Sequence, residues 1–456
     1  MKFFLSVLFL IITGTFFYPC RAAQLTGTPG FTIIYSHDVL GELELCGCDE
    51  EQLGGVPRKA TVIQELKKEG RPVLVLDAGN LFFKERPFSD IEKKEFALKS
   101  EYILDAYQHM GCDAVNVGEA DLFMGFEHLK HLQARATIPF ISSNLYSKKS
   151  GKPVFQAYAI KEAAGIKIGI LGLFSDTVSV EPSMTVQDPF KTARTIIASL
   201  QKTCSFIIVL SNLGLDGDKK LAKNIPGIDL IISGRATQRM LEPVKEGKSI
   251  IVQAYRRGQY LGRLDVMVQA ASSKPQFTMN NALIPLGEKI ADHKAIAQLT
   301  KEYRARLIAM NRQEFFREKL NGKNNETAGE ALYVGVNQCA SCHTPQYDNW
   351  LNTSHAFAYE TLMKNCNNYD IECLPCHTTG FKEPGGFSIG HGNESAFLHV
   401  QCEACHGPGK KHKAKGDIVR EVAENVCTQC HDEKNSPRFN YEEYLPLVKC
   451  PTTPKP

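Results

Sequence analysis

Residues 31–48 read FTIIYSHDVLGELELCGC. The first five, β-branched and aromatic, predict a buried strand. A polar loop follows at once, carrying His37 and Asp38 and then Cys46 and Cys48 with one residue between them. Similar apolar runs recur outward from this point: PVLVL (72–76), DAVNV (113–117), IPFISS (138–143), IKIGIL (166–171), FIIVL (206–210), DLIIS (229–233) and SIIVQ (249–253). Amphipathic stretches such as VIQELKKEG and FALKSEYILDAYQHMG lie between several of them. Strands that read as continuous apolar runs, joined by helices, predict an α/β domain over residues 24–285.

The flanks differ. Lys2 is followed by a fifteen-residue apolar run, FFLSVLFLIITGTFF, and then by small residues near Ala22. This pattern predicts a signal peptide over residues 1–23, because a spanning helix needs about 20 apolar residues. The mature chain is expected to be exported, to the periplasm or to the outer membrane and cell surface, with peripheral membrane association allowed. A formal net charge of +3 gives no strong pull toward nucleic acid. Residues 286–330 predict a helical linker: Glu and Lys alternate with spaced Ile, Leu, Tyr and Phe, and the stretch ends in NGKNNETAG.

From residue 331 to 456 aliphatic runs vanish, and ten of the fifteen cysteines fall after residue 338. Eight of those ten sit in one repeated motif, Cys-x-x-Cys-His. It occurs as CASCH (Cys339, Cys342, His343), CLPCH (Cys373, Cys376, His377), CEACH (Cys402, Cys405, His406) and CTQCH (Cys427, Cys430, His431). This spacing lets two thiols about one helical turn apart reach the two vinyl groups of one porphyrin, with the adjacent His under the iron. A single copy could equally be a zinc site or a dithiol; four copies, each with its trailing His, predict four covalent c-type haems. Four histidines remain in this half, His355, His391, His399 and His412, enough to supply each iron with a distal imidazole. His412 follows a Gly-Pro-Gly turn that lets the chain double back. Irons closed by two imidazoles pass electrons and do not readily bind substrate.

This half resembles the tetrahaem cytochrome c family of nitrifying bacteria. The resemblance rests on YVGVNQCASCHTPQYDNW, TSHAFAYETL, CLPCHTTGFKEPGGF, VQCEACHGPGKKH and CHDEKNSPRFNYEEYLPLVKCP. It implies closely packed haems on a mostly helical scaffold, and electron transfer. The last segment ends in Cys450-Pro451, where many relatives carry His-Pro. For Cys450 the resemblance leaves ligation, a disulfide with Cys366 or an open haem; a structural or disulfide role is the expectation.

Residues 31–265 resemble the calcineurin-like metallophosphoesterases of the exported 5′-nucleotidase type. The order of YSHDVLGELE, GGVPRKA, LVLDAGNLFF, MGCDAVNVGEADL, FISSNLY, VLSNLGLDGDKKLAKNIPGIDLIISGRATQR and IIVQAYRRGQYLGRLDV carries it. The implied fold is a four-layer α/β sandwich, two stacked sheets flanked by helices, with a two-metal site at the strand ends. The ligands such a site needs are mostly replaced. Asp38 remains, but Leu40 stands at the histidine of the first motif, Asn80 at the bridging aspartate, Glu119-Ala120 at the Asn-His pair, and Asn212 at the next histidine. Gly234-Arg235-Ala236-Thr237 stands at the closing Gly-His-x-His. Leu, Ala and Arg cannot ligate a cation. Cys46 and Cys48, with His37, Asp38, Glu119 or Asp121, are the candidates left for a single thiophilic metal ion. Cys46 and Cys48 could equally be a redox dithiol or structural thiols.

The expectation is therefore an electron carrier rather than an enzyme, in a respiratory or extracellular electron-transfer chain. Its partners would be redox proteins, other cytochromes or a membrane electron conduit, with the α/β half as a docking module. The alternatives are an active metal-dependent phosphoesterase and a multihaem oxidoreductase of a small nitrogen or sulfur compound.

Overall fold

The computed structural model describes residues 30–44, 53–87, 90–235, 239–269, 275–320, 331–364, 370, 372–388, 394–412, 418–432 and 435–451. The predicted signal peptide and Cys46, Cys48, Cys366 and His391 lie outside the described residues.

In chain order the strands are β1 (Gly30–Ser36), β2 (Val73–Asp77), β3 (Ala114–Asn116), β4 (Phe140–Ile141), β5 (Leu145–Ser147), β6 (Tyr158–Ala163) and β7 (Ile166–Leu173). They continue as β8 (Met184–Val186), β9 (Phe206–Ser211), β10 (Leu230–Ser233), β11 (Val244–Glu246), β12 (Ser249–Val252), β13 (Tyr260–Gln269) and β14 (Gln276–Pro285). One six-stranded sheet runs β14-β13-β1-β2-β3-β4, another runs β11-β12-β10-β9-β7-β6, and β5 pairs with β8. All eight predicted runs are strands, and they form the parallel centres of the two larger sheets. β6, β11 and β14, at sheet edges, and β13, between β14 and β1, pair antiparallel.

Period-2 alternation sorts the side chains between layers. Phe31, Ile33 and Tyr35 of β1 join Ile168 and Ile170 of β7 and Phe206, Ile208 and Leu210 of β9 in one apolar cluster shared by both sheets. Ile34 points the other way. It joins residues of α1 (Val56–Lys68), α2 (Asp90–Met110), α3 (Phe126–Arg135) and α6 (Lys294–Leu320). On the far side of the second sheet, Leu171, Ile207 and Ile231 pack on α4 (Pro189–Leu200) and α5 (Leu215–Asn224). Helix α6 is the long helix predicted for residues 287–320. Its apolar residues Ile296, Tyr303 and Leu307 are buried against the first sheet's helices, which makes it part of the α/β half rather than a free linker.

The C-terminal region is a series of short helices: α7 (Val336–Ala340), α8 (Thr344–Trp350), α9 (Ala358–Lys364), α10 (Leu374–His377), α11 (Cys402–His406), α12 (Glu424–Cys427) and α13 (Tyr441–Val448).

One cross-strand fit sets how β13 lies on β1. Tyr35 is fully buried opposite Gly262, and its hydroxyl donates to Asn281 Oδ1 on β14 at 2.8 Å. A methyl group on Gly262 would fall 2.0 Å from the Tyr35 ring. Gly262→Ala should therefore destabilise the α/β half by about 1–3 kcal/mol, the usual cost of overpacking. Urea unfolding followed by tyrosine fluorescence checks this, and an unchanged midpoint would contradict the fit.

Candidate functional site

The four attachment motifs share one local shape. His343 N donates to Cys339 O at 2.9 Å, and His431 N donates to Cys427 O at 2.9 Å, so each of these motifs closes a helical turn. The second and third motifs lie on α10 and α11. The motifs also meet one another. The Cys339 and Cys402 thiols are hydrogen-bonded, which lowers the first and raises the second. Cys430 is likewise hydrogen-bonded to Cys376 and raised by it. The first motif thus lies against the third, and the second against the fourth.

The histidines are placed in two ways. His377 Nδ1 lies 2.5 Å from Ala358 O, and His406 Nδ1 lies 2.6 Å from Val419 O. A backbone carbonyl at Nδ1 fixes the ring's tautomer and leaves Nε2 as the ligating atom. The other two motif histidines each lie beside a histidine from outside the motifs. His343 and His412 have ring centroids 6.2 Å apart at an interplanar angle of 31°. His355 and His431 are 6.1 Å apart at 44°. His399 is placed otherwise: its Nδ1 accepts the Tyr359 N–H at 3.2 Å, and its ring stands perpendicular to that of Tyr359. Burial lowers the pKa of His355, His377, His399 and His431, which favours the neutral imidazole that binds metals. Cys450 is held nearby: Gln346 Nε2 donates to Pro451 O at 2.9 Å, and Asn349 Nδ2 to Lys449 O at 3.4 Å. It lies close enough to Cys402 and Cys405 to help raise both thiols.

In the α/β half the residues after β1, β2 and β3 converge. Asp38 Oδ1 accepts from Asn80 Nδ2 at 2.7 Å, and Oδ2 lies 3.0 Å from His37 Nδ1. Asn80 Oδ1 in turn accepts from Ala120 N at 2.9 Å. Asp121, 1% exposed, takes the backbone N–H groups of Asn80, Leu81, Phe82 and Gly118 at 2.7–3.0 Å. Burial pushes its carboxyl up to about 7 against the pull of those N–H groups. Glu119 is half-buried at the start of the following turn. Asp38, Leu40, Asn80, Arg235 and Arg257 all hold φ between 47° and 65°. Such strain, costing on the order of 1–3 kcal/mol per residue, gathers at functional sites. Asn212 is fully buried with neither amide atom partnered, and His37 Nε2 is also unpartnered. Among the described residues no three His, Cys, Asp or Glu side chains converge as metal ligands.

A family model described as cytochrome c554 and c-prime matches residues 338–407. The chain is 33% identical over 135 residues to cytochrome c-554 of Nitrosomonas europaea, covering 25% of this chain and 57% of that one. It is also 27% identical over 252 residues to a 5′-nucleotidase of Vibrio vulnificus, covering 46% of this chain and 44% of the enzyme. Among solved structures, the 5′-nucleotidase precursor from Thermus thermophilus superposes with a TM-score of 0.52 at 21% identity, over 61% of this chain and 59% of that one. The calcineurin-like phosphoesterase YfkN from Bacillus subtilis superposes with a TM-score of 0.53 at 19% identity, over 62% of this chain and 99% of that one. The chain joins a 5′-nucleotidase-like part to a cytochrome c554-like part. It spans about half the length of the Vibrio 5′-nucleotidases, 44% of one and 50% of another.

The cytochrome c554-like part implies c-type haem, and its residues fit that group. A metal ion held at about 2 Å by a nitrogen of each of two imidazoles separates the ring centroids by about 6 Å, the spacing of His343–His412 and His355–His431. Bound haem would supply one-electron chemistry; the thiols of the Cys-x-x-Cys-His motifs would anchor it, and the motif histidines, with His412 and His355, would hold its iron.

Asp121, a metal-ligand candidate in the sequence, instead holds backbone N–H groups. Glu403 escapes the sequence reading: it too acts through backbone N–H groups, and nothing in residue type or spacing distinguishes a carboxylate of this kind from a surface acid. Another acid the sequence does not single out, Asp218, lies under β9 with Ser211 donating to its Oδ1 and Oδ2 unpartnered. Burial pushes its carboxyl up to about 7, with the Ser211 and Ser233 hydroxyls opposing. The folded state then holds a proton that the unfolded chain releases near pH 4. This contribution is full below pH 4 and is lost as pH rises through 7. Asp218→Asn, which mimics the protonated acid, should gain on the parent by roughly 1 kcal/mol per pH unit across that window. Melting curves of both proteins from pH 4.5 to 8 test it; a difference that does not change with pH would refute it.

Proposed function

We propose that the chain is an exported four-haem c-type electron carrier of a respiratory or extracellular electron-transfer chain. Its 5′-nucleotidase-like part, a four-layer sandwich, serves as a docking module without hydrolytic chemistry of its own. The observation that carries this reading is the pair of facing imidazoles, His343 with His412 and His355 with His431, at 6.2 and 6.1 Å. Two axial imidazoles leave no open position for substrate and suit an iron that cycles between oxidation states without rebuilding its ligands. The silence of the other half is supported by Asp38, whose two oxygens are taken up by Asn80 and His37. It is also supported by the Leu, Asn and Arg side chains at the other ligand positions. The partners are redox proteins that meet the carrier outside the inner membrane.

The full-length protein should carry four haems per chain by pyridine haemochromogen assay. His412→Ala and His355→Ala should each open one iron, seen as a gain of roughly one haem equivalent in carbon monoxide binding after reduction. No gain in either variant would reject these distal ligands. Hydrolysis is tested on the same protein with nucleotides and phosphodiesters under several divalent metals. No turnover is expected, and metal-dependent turnover abolished by Asp38→Ala would overturn the docking role.

A further inference from the structure

We infer that Glu403, inside the third attachment motif, is a positioning residue for the first haem: it holds the segments carrying His343 and His412 at the spacing their shared iron requires. This rests on the reading that His343 and His412 ligate one iron.

Glu403 is 3% exposed. Its Oε1 accepts from Gly409 N at 2.6 Å and from Val334 N at 3.0 Å, and its Oε2 from Gly335 N at 2.8 Å and Val334 N at 3.2 Å. Val334 and Gly335 lead directly into α7, which runs on to Cys339, Cys342 and His343. Gly409 leads into the turn that presents His412, whose own N–H returns to Gly409 O at 3.0 Å. One carboxylate therefore ties the proximal and the distal segment together, each by a backbone N–H. A second stitch, Lys410 N to Leu332 O at 2.9 Å, runs between the same two segments.

The approach is close. A Cβ on Gly409 would lie 3.1 Å from Glu403 Oε1 and 3.0 Å from Val334 Cγ2, a crowding against the carboxylate that glycine avoids. Glutamine cannot substitute for Glu403, because a carboxylate accepts on both oxygens whereas an amide turns one position into a donor facing an N–H. The neighbouring Gln401 makes a useful contrast. Its Oε1 accepts from Val336 N at 2.7 Å and its Nε2 donates to Ala396 O and Leu398 O at 2.8 Å, so its side chain ties the start of α7 to the Ala396–Leu398 segment and makes no bond to the His412 turn.

The experiment compares full-length parent, Glu403→Gln, Gly409→Ala, Gln401→Leu, His412→Ala and the Glu403→Gln/His412→Ala double variant. Haem content, electron paramagnetic resonance of the oxidised state and carbon monoxide binding of the reduced state are read for each. Glu403→Gln should keep the parent's haem content, lose one low-spin signal, and gain roughly one carbon-monoxide-binding haem equivalent. The double variant should gain no more than His412→Ala alone. Gln401→Leu should lower the melting temperature and leave carbon monoxide binding at the parent's value. The proposal is overturned if Glu403→Gln keeps the parent's spectra, if its gain adds to that of His412→Ala, or if Gln401→Leu shows the same gain. Should Glu403→Gln fail to mature, Gly409→Ala decides by the same readout, and parental spectra there overturn the proposal. If His412→Ala itself leaves carbon monoxide binding unchanged, the ligand pair is rejected, and Glu403's role with it.

Discussion

The cytochrome-like region has too little apolar side chain to hold itself together, and its architecture follows from that shortage. Among its described residues the buried apolar cluster consists of Leu362, Leu374, Phe387 and Phe397, with a few half-buried neighbours such as Tyr333 and Tyr359. The α/β half, by contrast, has three extended clusters. Residues that cannot bury enough apolar area to offset the entropy of ordering them need another source of cohesion. The c-type haem that a cytochrome c554-like part implies is such a source. Between the attachment motifs, loops are fixed by buried polar groups that collect backbone N–H and C=O atoms. Glu403 gathers the strands of chain around the first and third motifs. Gln401 ties the start of the first motif to Ala396 and Leu398, and the Thr379 hydroxyl, which donates to His399 O at 2.8 Å and accepts from Gln401 N at 2.9 Å, does the same beside the second. Each of these groups is satisfied, as a low-dielectric interior demands.

The strand-end loops of the other half solve the opposite problem. A pair of cations allows several carboxylates and imidazoles to share a small volume; where the ligands are replaced, hydrogen bonds must do that work. Asn80 bridges Asp38 and Ala120, and Asp121 holds four backbone N–H groups. Behind them, buried Lys59 lies between Ser36, Tyr107 and Asp77, at 2.6, 2.7 and 3.8 Å. Burial lowers its pKa, and the Asp77 carboxylate opposes that shift. The left-handed backbone at Asp38, Leu40, Asn80 and Arg235 persists although the side chains it presents no longer share one chemistry. The loop path is thus held by the zipper of Asp38, Leu40 and Gly41 N–H groups onto Gly79, Asn80 and Leu81 carbonyls, at 2.9 Å each, rather than by what the loop binds.

Which parts of this are legible in the sequence has a physical pattern. Parallel central strands are buried on both faces and read as continuous apolar runs, so all eight stand out. The antiparallel strands β13 and β14 do not: β14, at the edge, alternates exposed and half-buried residues, QFTMNNALIP, and resembles any polar segment. The haem attachment motifs are legible because covalent chemistry tolerates one spacing. Which histidines outside the motifs lie beside those inside them is not, because it depends on long-range returns of the chain: the His412 turn on Leu332, and His355 beside residues of the last motif. Cys112 and Cys204 are buried beside strands, as the apolar residues around them imply.

The two parts also meet through charge. Lys99 of α2 reaches Glu372 at 2.9 Å, one residue before the second motif's first cysteine, and Lys382, five residues after His377, lies 3.7 Å from Glu92. Burial disfavours the charge on Lys99, but Glu372, Tyr303 and Asp370 outweigh it and hold its pKa well up. A surface ion pair contributes little because water screens it, whereas Lys99 has a side chain only 17% exposed and shares its carboxylate neighbours with Tyr303 of α6. The second motif is therefore seated on the two helices, α2 and α6, that pack together over the first sheet. A scaffold used this way needs a rigid sheet and a fixed pattern of charge on its helices, and neither depends on the loops at the strand ends. Those loops can therefore vary while the fold beneath them is kept.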